Sequence, residues 1–124
     1  MSVKDKYGPV INLMQDFGIK DNNVREDKDS LIVQGTANTQ YEKNQIWDKI
    51  KEIGGENPKD IKADIKVKNT DFYATHKVKS GENLSQISRK YYGDPNRYRD
   101  IASYNNINNP DKIEPGQELK IPNP

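Results

Sequence analysis

The sequence HKVKSGENLSQIS at residues 76–88, followed by IEPGQELKIP at residues 113–122, is the most specific pattern in this chain. The first string predicts a short strand that turns at Ser80 and Gly81 into a helix, because its later apolar residues recur three or four positions apart. The second string predicts a turn at its Pro-Gly pair and then a closing strand. The two strings therefore frame a small unit that begins and ends with a strand.

Two short helices are predicted between these strands. The first runs to Gly93, and its inner face is predicted to hold Leu84, Ile87, Ser88 and Tyr91. The second has Asp94 as its cap and Pro95 in its first turn, with an inner face of Tyr98, Ile101, Ala102 and Asn105. A loop rich in Asn and Pro covers residues 105–117. The predicted order of this half is β-α-α-β.

This pattern, assigned to residues 71–124, closely resembles the LysM domain, a carbohydrate-binding module of cell-wall proteins. The resemblance implies an N-acetylglucosamine site in a shallow groove between the loop after the first strand and the loop before the last. Glu82 departs from the family, which usually has Asp there, and Asn83 stands where Thr or Ser is usual. The implied groove residues are Gly81, Glu82, Asn83, Leu84, Ile107, Asn108, Pro110 and Ile113.

Each of these residues also has a role that would suit a glycan. Gly81 lets backbone amides approach a ligand, and Glu82 and Asn83 offer hydrogen-bonding groups to hydroxyl or acetamido groups. Leu84 and Ile107 can pack against an acetyl methyl or a pyranose face. The opposite wall is expected to consist of Asn108, Pro110 and Ile113. The alternative is structural, with Leu84 and Ile113 in a small core and the glycine serving turn geometry.

The first half of the chain predicts a helix, a hairpin, a second helix and a strand. The first helix has Val10, Leu13, Met14 and Phe17 at helical spacing and ends at Gly18. Its start is open, because Ser2 with Asp5 resembles a cap while Pro9 favours a start near residue 9. The hairpin covers residues 22–36 and its second strand is predicted to end at Gly35.

The second helix and the strand after it are more strongly indicated. Thr39 and Glu42 form a Thr-x-x-Glu capping box, and the helix ends at Gly54 and Gly55. Apolar and charged residues then alternate strictly over residues 61–68, which predicts a strand with one buried face. We therefore predict an α+β fold with two helices on one face of a small sheet.

The order α-β-β-α-β in residues 1–70 resembles the BON domain of bacterial osmotic-stress and envelope proteins, which implies phospholipid or envelope binding. Both halves together resemble a small bacterial cytoplasmic BON-LysM protein that binds potassium. That resemblance implies potassium as an alternative ligand, with the ion closing the two domains on each other. Backbone carbonyls usually hold such an ion, so the sequence does not locate the site.

Composition narrows the remaining classes of function. Hydrophobic and charged residues each make up 31%, so the cores are small and rely on tyrosines and Trp47. The formal net charge is +1 and basic residues are interleaved with acidic ones, which argues against nucleic acid as a partner. The chain has no cysteine. Because no signal peptide precedes the first helix, we expect a cytoplasmic location, with the envelope as the alternative if a signal peptide was removed. We also expect a monomer.

Catalytic and metal-binding functions receive little support. His76 is the only histidine, and its place in a predicted strand favours a surface residue over a base or ligand. Asp21 and Asp27–Asp29 resemble fragments of calcium loops without the required glycine and glutamate, and are interpreted as solvated turns. Five tyrosines follow residue 72, of which Tyr91, Tyr98 and Tyr104 are expected in the core.

We predict a binding protein without enzymatic activity. A third alternative is an interaction module that docks an envelope protein through the first sheet.

Overall fold

The computed structural model describes residues 2–19 and 23–124. The chain divides into two compact units, unit 1 at Met1–Lys68 and unit 2 at Asn69–Pro124. Both contain helices and strands, as the predicted α+β class requires. Within the described residues, no helix is long and apolar enough to cross a membrane.

Unit 1 contains three helices and one three-stranded sheet. Its elements are α1 Val3–Lys6, α2 Gly8–Asp16, β1 Asn23–Asp27, β2 Ser30–Ala37, α3 Gln40–Gly54 and β3 Ile61–Val67.

The predicted first helix is broken at Tyr7, which explains why the sequence offered two starts. Ser2 caps α1, since its hydroxyl accepts a hydrogen bond from the Asp5 amide at 3.1 Å. Pro9 lies in the first turn of α2, where its missing N–H costs nothing. The predicted helix start near Pro9 is confirmed for α2, and the predicted cap at Ser2 is found on α1.

The sheet has the order β1-β2-β3, with β1 and β2 antiparallel and β2 and β3 parallel. The predicted hairpin is confirmed, and its two-residue turn places Lys28 at a φ of 56°. The predicted end of its second strand at Gly35 is wrong. Strand β2 continues to Ala37 because every residue of β3 pairs with it, from the Leu31–Ile61 pair to the Ala37–Val67 pair.

One face of this sheet carries the core of unit 1. Alternate residues of β2 are buried, and Ile61 and Ile65 of β3 lie on the same face. Helices α2 and α3 cover it with Val10, Met14, Ile46 and Ile50. The alternation at residues 61–68 is therefore confirmed. The cap of α3 at Thr39 is confirmed, since Thr39 Oγ1 accepts a hydrogen bond from the Glu42 amide at 3.3 Å. The predicted box is modified, because Glu42 Oε1 accepts from the Asn38 amide at 2.8 Å, one residue before Thr39.

A polar clamp ties α1 and α2 to the start of β3. Tyr7 is fully buried and its hydroxyl donates to Asp60 Oδ1 at 2.5 Å, while Lys6 Nζ lies 2.6 Å from Asp60 Oδ2. Burial, followed by the Asp60 hydrogen bond and charge, raises the pKa of Tyr7 to about 12. Hydrogen bonds from Lys6 and then Tyr7 lower the pKa of Asp60. A Cβ at Gly54 would lie 2.2 Å from the Tyr7 hydroxyl, so the clamp needs a glycine there.

Unit 2 has two strands that enclose its helices. Its elements are β4 Ala74–Lys77, α4 Leu84–Tyr92, a 3-10 turn at Pro95–Arg97, α5 Tyr98–Tyr104 and β5 Glu118–Ile121. Strands β4 and β5 pair antiparallel. The four residues predicted for the inner face of α4 are all buried, whereas on α5 only Ile101 and Ala102 of the predicted set are.

Side chains that bind backbone groups hold the end of unit 2 in place. Asn105 Oδ1 accepts from the Lys120 amide at 2.8 Å, and its Nδ2 lies 2.7 Å from the Lys120 carbonyl and 2.8 Å from the Ile101 carbonyl. The amide of Asn105 thus acts as a strand neighbour for β5. The Ser88 hydroxyl donates to the Asp94 carbonyl, which fixes the turn after α4.

Candidate functional site

Unit 2 carries an open depression of about 300 Å³ where the start of α4 faces the loop before β5. Its lining comes from three elements: the start of α4, the start of α5 and the loop. The lining residues are Asn83, Leu84, Ser85, Tyr98, Pro110 and Asp111.

The wall at α4 is fixed by a capping box. Asn83 Oδ1 accepts from the Gln86 amide at 2.8 Å, and the Asn83 amide donates to Gln86 Oε1 at 3.0 Å. One oxygen of Asn83 is therefore committed to the helix, which leaves its side-chain NH₂ as the group to offer a ligand. Gly81, in the turn just before, has a φ of 84°, a conformation that favours glycine. The role of Gly81 is thus in the turn, and it does not line the depression.

Glu82 points inward, which the sequence did not indicate. Its Oε1 accepts from the Lys79 amide at 2.6 Å and lies 2.9 Å from His76 Nε2. Burial raises the pKa of Glu82, but hydrogen bonds from His76 and Lys79 and their charges outweigh it, so that the pKa lies below its usual value. The expectation that Glu82 lines the groove is corrected, because this oxygen is bound within the protein and the residue lies outside the depression.

His76 is 5% exposed, and the prediction that it lies on the surface is wrong. Its Nδ1 lies 2.7 Å from the Tyr91 hydroxyl, and its Nε2 faces Glu82. The strand places His76 on the same face as Ala74, which is also buried, so both point into the unit.

The side chain of Leu84 lies in the core of unit 2, since the residue is 1% exposed. The alternative of a core residue is confirmed, and the contact of Leu84 with a ligand stays a prediction, since the residue also lines the depression. The helix directs the Leu84 side chain inward together with Ile87, which is also buried.

The loop wall is built around Asn109. Its Oδ1 accepts from the Asp111 amide and its carbonyl accepts from the Lys112 amide, both at 3.0 Å. This turn presents Pro110 and Asp111 to the depression. The other predicted residues of this wall, Ile107, Asn108 and Ile113, do not line it. Ile107 and Ile113 are half-buried and Asn108 is exposed.

Tyr98 and Ser85 complete the lining and were not predicted to belong to the site. Both are half-buried. The Tyr98 hydroxyl accepts from Arg99 Nε at 3.3 Å, and the Arg99 guanidinium lies 5.7 Å from the ring centroid. Ser85 lies two residues after Asn83 in the sequence, so it could have been found by extending the predicted rim into the first turn of α4.

The tyrosines of unit 2 do not form one stacking surface. Tyr91 is buried as predicted, whereas Tyr104 is 44% exposed and its expected place in the core is wrong. Tyr104 is the last residue of the short helix α5, and its hydroxyl donates to the Asp71 carbonyl at 3.3 Å. Tyr98 alone among the described aromatic residues lines the depression.

Polar sites elsewhere are less developed. Asp27 precedes the hairpin turn and Asp29 lies in it, and both are exposed, in line with a solvated turn. Asp21 lies outside the described residues. Within the described parts of the chain, no group of three or more His, Cys, Asp or Glu side chains is arranged to hold a metal ion. A second depression of about 230 Å³ lies on unit 1 and is lined by Gln34, Gly35, Thr36, Asp64 and Lys66.

The depression of unit 2 offers mixed chemistry at one open surface. The side chains of Asn83, Ser85 and Asp111 supply donors and acceptors, and the Tyr98 ring supplies an apolar surface. Such a surface suits a polar ligand without a large apolar body, because the site is open and few of its groups are apolar.

Comparison with known proteins places this depression inside a recognised domain. A protein of Deinococcus radiodurans, named only as uncharacterized, is 60% identical over 45 residues, which are 36% of this chain and 18% of that protein. The potassium binding protein Kbp of Escherichia coli O6:H1 is 51% identical over 47 residues, which are 36% of this chain and 32% of Kbp. The chain thus spans less than a third of the length of these curated relatives.

The chain is also similar to an esterase and to one solved structure. The esterase Rv1288 of Mycobacterium tuberculosis is 43% identical over 49 residues, which are 40% of this chain and 11% of the esterase. A MoCVNH3 variant solved in complex with (N-GlcNAc)4 is 41% identical and covers 40% of this chain and 30% of its own, with a TM-score of 0.35. At that TM-score the likeness carries no argument about this fold. The LysM domain family matches residues 76–122, and the second unit of the chain therefore contains a LysM domain.

Proposed function

We propose that unit 2 binds glycans that contain N-acetylglucosamine, and that the chain acts as a binding protein without enzymatic activity. One observation carries this proposal. The start of α4 and the loop at Pro110–Asp111 meet in a single open depression within the segment that matches the LysM domain. These are the two loops between which the LysM resemblance implies a sugar groove.

The chemistry of the lining supports a sugar as ligand. A pyranose presents hydroxyl and acetamido groups at its edge and C–H groups on its face, so it needs both hydrogen-bonding groups and an apolar surface. Ser85 and Asp111 provide the first and Tyr98 the second. Because the depression is open, we expect affinities in the micromolar to millimolar range for short oligomers.

Hydrolysis of the bound glycan is not part of the proposal. Glycosidases act with two carboxyl groups that flank the scissile bond. Among the residues that line the depression, Asp111 is the only carboxylate. We therefore propose that the depression binds a glycan without cleaving it, and the match to the esterase covers only 11% of that protein.

Calorimetric titration with the N-acetylglucosamine tetramer tests this proposal. We expect the full chain to bind, and Tyr98→Ala to weaken binding at least about 5-fold because it removes the aromatic surface. Tyr104→Ala is the matched control, since Tyr104 lies on the same helix but outside the depression. No binding at millimolar tetramer, or equal losses in the two variants, would contradict the assignment.

A second candidate function is potassium binding, which is favoured by the name of one relative. Kbp is called a potassium binding protein, and it matches this chain over the LysM region. In this proposal the ion is held by backbone carbonyls and closes the two halves on each other. Small-angle scattering of the full chain should then show compaction in potassium chloride and none in sodium chloride. Identical profiles in the two salts would exclude it.

The role of the first half stays a prediction. If residues 1–70 are a BON-like domain, as their element order indicates, they would attach the chain to phospholipid or to an envelope protein. Flotation of the full chain with anionic vesicles tests the first partner, and cross-linking in cells tests the second. Cell fractionation tests the predicted cytoplasmic location.

A further inference from the structure

A buried histidine lies behind the rim of the proposed glycan site. The His76 imidazole lies edge-on to the ring of Tyr91, with centroids 5.5 Å apart and planes at 81°. Its Nδ1 is 2.7 Å from the Tyr91 hydroxyl and its Nε2 is 2.9 Å from Glu82 Oε1. Both ring nitrogens therefore have a side-chain partner.

The network assigns one arrangement of hydrogens for the neutral ring. A neutral imidazole has one donor and one acceptor, and an ionised carboxylate can only accept. Nε2–H therefore donates to Glu82, and Nδ1 accepts from the Tyr91 hydroxyl. Three side chains thus form a chain of hydrogen bonds that runs from helix α4 through strand β4 to the turn after it.

Glu82 links His76 to the turn between β4 and α4. The same carboxylate oxygen that faces His76 accepts from the Lys79 amide at 2.6 Å, and the Glu82 amide donates to the Lys79 carbonyl at 3.1 Å. The turn from Lys79 to Glu82 is thereby closed by a backbone and a side-chain bond. Asn83 follows directly and begins the wall of the depression.

We infer that His76 is a positioning residue for the depression, which holds Glu82 and so fixes the turn that carries Asn83 and Ser85. This inference rests on the proposed glycan function. Burying an imidazole costs free energy unless both nitrogens are bonded. The residues two positions before and after His76, Ala74 and Val78, are buried and apolar. Holding the turn explains why a polar residue, His76, lies at this buried position.

Two isosteric variants separate this role from simple packing. His76→Gln keeps a donor near the place of Nε2 and should retain the bond to Glu82. His76→Asn keeps a polar group near Nδ1 and should lose that bond. Without this bond, the turn should hold its binding conformation for only about a fifth to a tenth of the time. The dissociation constant of His76→Asn for the glycan should then rise about 5- to 10-fold, because affinity falls with the fraction of molecules in the binding conformation. His76→Gln should bind within about 2-fold of the wild type on the same grounds.

Amide hydrogen exchange supplies a readout that does not need the ligand. The Lys79 amide should exchange faster in His76→Asn than in the wild type and in His76→Gln, because its acceptor is no longer held. Equal affinity and equal Lys79 exchange in the two variants would overturn the inference. If the wild type bound no glycan while Lys79 exchange still differed as expected, the proposed function would fail and the positioning of the turn would stand.

Variants of Glu82 keep the test decisive if neither His76 variant folds. Glu82→Ala removes the acceptor of both bonds and should accelerate Lys79 exchange and weaken glycan binding about as much as His76→Asn. Where both fold, the double variant should be no weaker than either single one, because the two residues act through one bond. Unchanged Lys79 exchange in Glu82→Ala would overturn the inference.

Discussion

The two units stabilise themselves by different means. Unit 1 packs apolar residues of two helices against one face of its sheet, and Thr39 is the one buried polar residue among its described residues. Unit 2 is shorter and buries both His76 and Ser88, each bonded to a group of the same unit. Asn105 adds three more bonds to backbone groups.

Both units are small, since neither exceeds 68 residues. A short unit buries a smaller fraction of its surface, so apolar burial alone stabilises it less. Buried polar side chains that are fully bonded then fix the loops that an apolar core does not reach. The loops of unit 2 carry the depression, so the same bonds that stabilise the unit also hold its site in shape.

Truncation in the core of unit 1 should have the largest effect. Ile46→Ala removes a fully buried side chain from α3 and is expected to destabilise unit 1 by about 2–5 kcal/mol. The matched control is Ile32→Ala, at a half-buried residue of β2, with a smaller loss expected. Hydrogen exchange of the β2 amides in the full chain measures both. Equal losses of stability in the two variants would contradict the placement of the core between α3 and the buried face of the sheet.

The corresponding break in unit 2 is Asn105→Ala. It removes three hydrogen bonds to backbone groups and should destabilise unit 2 by about 1–3 kcal/mol, although it removes little apolar surface. Exchange at the Lys120 amide should report the loss, since that amide loses its acceptor. An unchanged Lys120 rate would contradict the contrast between the two units.

The Tyr7 clamp shows that unit 1 also contains one polar bond whose loss should be measurable. Tyr7→Phe should cost about 1.5 kcal/mol at neutral pH, because a hydrogen bond to a carboxylate is lost. The pKa of Tyr7 is raised from 10.0 to about 12, so its contribution is complete below pH 10 and is lost as pH rises towards 12.

An alkaline titration of the full chain measures this effect. Wild-type unit 1 should lose stability between pH 10 and about 12, and Tyr7→Phe should lack that part of the loss. Tyr92 in unit 2, whose pKa burial also raises to about 12, provides an internal reference that the variant leaves in place. A variant with the same alkaline profile as the wild type in unit 1 would exclude Tyr7 as the group responsible.

The smallest expected effect concerns two glycines. Gly81 has a φ of 84° and open space around it, so Gly81→Ala should cost about 1 kcal/mol through backbone strain alone. Gly8 also has open space but no positive φ, and Gly8→Ala at the start of α2 should be neutral or slightly stabilising. Thermal melting of both variants checks this pair. A loss in Gly8→Ala as large as that in Gly81→Ala would refute the conformational explanation.

The sequence predicted the apolar parts of both units better than the polar ones. The alternation of Ile61 and Ile65 and the helical spacing of Leu84 and Ile87 follow from periodicity, and all four are buried. The prediction for His76 is wrong because its polar residue type favours the surface, whereas the two-residue period of the strand places it on the buried face. Its two-residue spacing from Ala74 and Val78 was the signal that placed it inside.

The site was predicted in part for a related reason. Asn83, Leu84 and Pro110 were expected in the groove and line the depression, whereas Ser85, Tyr98 and Asp111 were not predicted there. Asp111 is presented by a turn around Asn109, and Tyr98 comes from another helix. Such long-range placement depends on tertiary packing, which a local pattern does not contain.

The most direct test of the central claim is an NMR titration of the full chain with the N-acetylglucosamine tetramer. The account predicts selective shifts of the amides of Asn83, Ser85, Tyr98 and Asp111, which saturate together at millimolar ligand or below. Shifts confined to residues outside the depression, or none at millimolar tetramer, would contradict it.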